Sequence, residues 1–171
     1  MKTKQSMLSI IIVLIAFAHT HAQSEKSNFS GTWKLDKEKS VLGGGGGEGG
    51  GRRMGGMFDS LVIEHNEPKL IIKRKMNLPG GEERTMELKY TTDGKKNNNE
   101  GFGGMISQSK THWDDGKLIT ESSMETRMET RETKEVRSLS ADGMTMTVEM
   151  TTKGGRGEGT RTLVFNKQPS N

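Results

Sequence analysis

The chain contains no cysteine, three prolines and eight aromatic residues among its 171 positions. Without cysteine there are no disulfides to brace the fold, no thiolate nucleophile and no thiolate metal site. A lipid-anchored cysteine at a leader's cleavage point is excluded on the same ground. Histidine is nearly as scarce. Of four, His19 and His21 lie close to the N-terminus, which leaves His65 and His112 for the rest of the chain. No spacing resembles a zinc site, and no nucleophile–base pair is visible, so neither catalytic residues nor cofactors are expected. Sustained helical periodicity is also missing. Eight aromatics are too few for the two girdles of a membrane β-barrel, and most alternating segments carry Thr, Glu, Lys and Arg on one face. Membrane insertion is therefore not expected.

The one long hydrophobic run, Met7 to Ala18, has 12 residues and follows Lys2 and Lys4. A spanning helix needs about 20 apolar residues. A basic start, a short apolar stretch and the small residues Thr20 and Ala22 have the order of a secretory leader cut before Gln23. The chain is then expected to be exported, to the periplasm or the medium, with residues 23–171 forming one domain. Removing residues 1–22 takes two lysines and no acid, leaving 24 Lys+Arg against 22 Asp+Glu. That near balance argues against nucleic acid as a partner, although Arg52, Arg53, Lys95, Lys96, Lys153 and Arg156 cluster in apparent loops.

What the remainder does have is alternation. Leu70, Ile72, Arg74 and Met76 recur every second residue, as do Arg84, Met86, Leu88 and Tyr90, and later Met144, Met146, Val148 and Met150. Period two marks strands with one apolar face. Asp93-Gly94, Asp115-Gly116 and Asp142-Gly143 are dipeptides that tolerate the positive φ of tight turns. The pattern predicts an all-β, antiparallel up-and-down meander of eight or nine strands, closed into a barrel that leaves few exposed edges. Two segments read as mobile loops: the glycine-rich 42–56, and Gly94 to Gly104 with three consecutive asparagines.

Phe29-Ser30-Gly31-Thr32-Trp33-Lys34-Leu35 resembles the first strand of the lipocalin and fatty-acid-binding-protein superfamily, marked there by Gly-x-Trp. The Leu139-Ser140-Ala141-Asp142-Gly143 turn is similar to one in lipocalin-like proteins of bacterial secretomes. The resemblance implies a barrel whose closed end is packed by Trp33, with a last-strand cation over the ring; Arg161 is the candidate. It also implies a small apolar or amphipathic ligand inside. The helical hairpin that follows the first strand in fatty-acid-binding proteins has no counterpart, since the glycine-rich segment occupies its place.

The expected inward faces are unusually polar. Arg74, Tyr90, Trp113, Arg137 and Met146 are the candidate ligand-binding residues: arginine to hold an anionic group, with Trp and Met against an apolar tail. Internal pairing of the arginines, for instance through Glu135, is the alternative. The twelve methionines invite a copper site, but Met144, Met146, Val148 and Met150 share one face, as core methionines do. The expectation is an exported small-molecule-binding protein. The alternative is a non-catalytic structural or interaction protein with a filled barrel and partner-binding loops, and the oligomeric state is left open.

Overall fold

A computed structural model describes residues 26–41, 59–77, 81–101, 104–126, 129–154 and 158–169. Residues 1–22, expected to form a leader, the glycine-rich segment 42–56 with Arg52 and Arg53, and Arg156 lie outside the described residues. Among the described residues ten strands follow one another: β1 (Gly31–Val41), β2 (Ser60–Asn66), β3 (Lys69–Asn77), β4 (Glu83–Thr91), β5 (Asp93–Glu100), β6 (Ile106–Asp114), β7 (Lys117–Glu125), β8 (Thr130–Leu139), β9 (Thr145–Lys153) and β10 (Gly159–Lys167). Each pairs antiparallel with its chain neighbour, except that β4 and β5 share no ladder, and β1 pairs with β10. The result is a nearly closed up-and-down barrel.

The strand beyond the expected eight or nine is β5, in the segment read as a mobile loop. Lys95, Lys96 and the asparagines have poor strand propensity, but pairing decides the outcome. Residues from Lys96↔Lys110 to Glu100↔Ile106 are in register with β6. Asn99 also closes the gap to β4. Its Oδ1 accepts from the Lys89 amide at 2.7 Å, and its Nδ2 donates to the Lys89 carbonyl at 2.9 Å. A side-chain amide thus makes the two bonds a ladder residue would make. Asp115-Gly116 forms the β6–β7 turn with both φ positive, 44° and 71°.

Alternation puts Trp33, Leu35, Leu61, Ile63, Leu70, Ile72, Leu118, Met146 and Phe165 inside the barrel, all buried. The packing is densest at one end. Trp33 is fully buried there, and its Nε1 donates to the Phe29 carbonyl at 2.9 Å. The cation over its ring is Lys167, at 5.4 Å, not Arg161. Antiparallel register explains the correction: the start of β1 faces the end of β10, Trp33 against Lys167, whereas Arg161 sits opposite Met150. Gly31 makes room for this clasp. Its φ is +140°, and a Cβ there would stand 2.8 Å from Lys167 Cε.

Below Trp33 a polar knot seals the end. Glu67 Oε1 accepts from Trp113 Nε1 at 2.7 Å and His65 Nε2 at 3.0 Å, while Oε2 accepts from Thr92 Oγ1 at 2.6 Å and Lys26 Nζ at 3.3 Å. His65 Nδ1 accepts the Phe29 amide at 3.2 Å, which puts the ring proton on Nε2, facing Glu67. The Phe29, His65 and Trp113 rings lie about 6 Å from one another. Partial burial would raise the Glu67 pKa, but these four donors outweigh it and hold the carboxyl at about 2, against an ordinary 4.5. Such a group stabilises the fold above the ordinary value, and its contribution is lost as pH falls from 4.5 toward 2. The melting temperature of the wild type should therefore drop across that interval, and Glu67→Gln should flatten the drop. Parallel pH–melting curves for the two proteins would refute this account of the knot.

Candidate functional site

Away from the sealed end, the barrel interior holds a cavity of about 310 Å³. Its walls come from alternate residues of nine strands, so the same periodicity that builds the sheet selects what faces the space. Apolar side chains such as Leu61, Ile72, Leu88, Val148 and Phe165 line part of it. Among the described residues, four arginines also border it, Arg74, Arg131, Arg137 and Arg161, with one acid, Glu135.

Three of these charges form one cluster. Glu135 and Arg137 are two residues apart on β8 and point inward together. Arg137 Nη2 donates to Glu135 Oε2, and Arg137 Nη1 donates to Thr120 Oγ1 at 3.1 Å. The Thr120 hydroxyl lies 3.0 Å from that of Thr111. From across the barrel, Arg74 Nη2 reaches Glu135 Oε1 at 3.4 Å. In the ring of ten strands, β3 and β8 are five places apart, so this pair spans the interior. Burial works to raise the Glu135 carboxyl, but the Arg137 and Arg74 charges prevail and hold it below the usual carboxylate range. The buried Tyr90 phenol is pushed up by desolvation first and by the Glu135 charge second.

Of the residues expected to bind ligand, Arg74, Tyr90 and Arg137 border the cavity. Trp113 and Met146 do not. Trp113 faces Glu67 and Phe29 in the sealed end, because β6 runs from the cavity at Ser107 down to that floor. Met146 is fully buried in the packed core, opposite Phe165 and Leu139. Arg161, expected to close the barrel, borders the cavity instead. Arg131 and Asn99 escaped notice in the sequence. Arg131 keeps period two with Glu135 and Arg137, which would have found it; nothing in the asparagine run marks Asn99.

No protein-family model matches the chain, and no curated protein is similar to it in sequence. Solved structures do resemble it. A REP1-NXSQ fatty acid transporter superposes with a TM-score of 0.59 at 13% identity, over 84% of this chain and 98% of that one. The fold is that of the fatty-acid-binding proteins. A fatty acid binding protein of Schistosoma mansoni, in complex with arachidonic acid, gives 0.53 at 16% identity, covering 82% and 96%. Secretory abundant heat soluble protein 4 from Ramazzottius varieornatus gives 0.53 at 14%, covering 82% and 95%. Identities this low establish the shared barrel and nothing finer.

The ion cluster has a measurable consequence on this fold. Removing one member of a buried pair leaves an uncompensated charge and costs about 3–5 kcal/mol. Arg137→Met should destabilise by an amount near the lower figure, since Arg74 still faces Glu135. Chemical denaturation checks this, and an unchanged or raised stability would mean that Glu135 and Arg137 are not a structural pair.

Proposed function

We propose that the protein is an exported carrier of a small amphipathic anion, held in the barrel cavity. The observation that carries this reading is the arginine-rich lining of a partly apolar interior: among the described residues, Arg74, Arg131, Arg137 and Arg161 border about 310 Å³ together with Glu135. A guanidinium keeps its charge in any accessible environment, so such a space favours an incoming anion. The apolar lining supplies the complementary surface for a hydrocarbon body. Structural neighbours whose names describe a fatty acid transporter and an arachidonic-acid complex support a ligand of this kind. Export is supported by the leader-like order of residues 1–22. Protein collected from the exported fraction should have the mass of a chain beginning at Gln23, and a chain retaining Met1 would refute export by cleavage.

The binding test is calorimetric. Delipidated protein should take up palmitate at one per chain and prefer it to the uncharged hexadecanol. Hydrogen bonds to a charged group contribute about 1.5–3 kcal/mol, so Arg74→Met should cut palmitate affinity by roughly ten- to a hundredfold. Hexadecanol affinity should barely change. Binding of neither compound would favour the alternative of a structural or interaction protein.

A further inference from the structure

The cavity is divided lengthwise. Along the sheet order, β4-β3-β2-β1-β10-β9 form one continuous arc and β8-β7-β6-β5 the other. The first arc presents Leu61, Ile72, Leu88, Val148, Leu163 and Phe165. The second presents Asn99, Ser107, Ser109, Ser122 and Thr133. Arg74, Tyr90 and Arg161 interrupt the first arc and Met124 the second, yet apart from the Tyr90 phenol the lining hydroxyls among the described residues belong to the second arc, together with the side-chain amide and the charges of Arg131, Glu135 and Arg137. Ser109 and Ser122 direct their hydrogens to the carbonyls of Asn97 at 3.5 Å and Thr133 at 3.3 Å. Each oxygen so engaged keeps acceptor lone pairs for a ligand hydroxyl.

A straight alkyl chain is apolar all round. Laid in this cavity it would press methylenes against the hydroxyl arc, displacing water from groups it cannot hydrogen-bond. A rigid ring amphiphile with one bare face and one hydroxylated face meets both arcs at once. We infer that the preferred ligand is a facially amphipathic, hydroxylated ring compound bearing an anionic group, with its hydroxyls toward β5–β8. This rests on the carrier reading and narrows its ligand class.

Titration of the delipidated protein with cholate and with palmitate, each below its critical micelle concentration, tests the inference. Cholate carries its hydroxyls on one face; palmitate carries none. Cholate should bind more tightly than palmitate. The triple variant Ser109→Ala, Ser122→Ala, Thr133→Val should weaken cholate by about tenfold or more, because ligand hydroxyls are then left unpaired. Palmitate should stay within about twofold or improve, since a methyl-lined arc suits an alkyl chain. A melting curve for the variant confirms that it is folded, and Ser122→Ala alone serves if the triple is not. Tighter palmitate binding, or a folded variant that changes neither affinity, overturns the inference and leaves the carrier reading standing. Failure of both compounds to bind overturns both.

Discussion

The Arg74–Glu135–Arg137 cluster constrains more of this barrel than any apolar contact does. Glu135 and Arg137 enter from β8, and Arg74 comes from β3 on the opposite wall. Three charges in the interior cannot be packed over by side chains as a hydrocarbon core can, because each needs partners or water. The space around them consequently stays open. Hydroxyls of Thr120 and Thr111 continue the polar network sideways, and Tyr90 stands near enough to feel the Glu135 charge. The cavity exists where the interior residues are polar, and the dry core exists where they are not.

With part of the interior given to polar groups, the sealed end carries much of the packing. Trp33, Phe29, Leu70, Leu118 and Met146 are fully buried without any disulfide to assist them. The Lys167–Trp33 clasp and the Glu67 knot then tie the N-terminal approach, β2, β6 and β10 to one floor. Glu67 joins Lys26, His65, Thr92 and Trp113, residues that share no local sequence motif. Dry packing thus lies at one end of the barrel and the charged cluster in its middle.

Meander topology also explains where the barrel is weakest. Sequential strands pair in antiparallel ladders except β4 and β5, where Asn99 stands in for the missing ladder with two hydrogen bonds to Lys89. At the register shift between β1 and β10, a side chain again stands in for the ladder: Ser40 Oγ accepts the Val164 amide at 3.0 Å.

Period-two alternation and the Asp-Gly turns were enough to establish a β meander, and Gly31-x-Trp33 marked its closed end. The inward direction of Arg74, Tyr90, Arg137 and Arg161 was legible too, because strand geometry alternates side chains regardless of what surrounds them. Height along the barrel was not legible. Whether an inward residue reaches the floor or the cavity depends on register between strands far apart in sequence, which is why Trp113 and Met146 were misplaced and Lys167, not Arg161, covers Trp33. Strand β5 was hidden for a related reason: its lysines and asparagines have little strand preference of their own, and only the ladder with β6 and the Asn99 side chain make it a strand. Local chemistry determined which face each residue takes. The closed barrel alone decided which of those residues meet, since contact across it is set by pairing and closure that no short stretch of the chain contains.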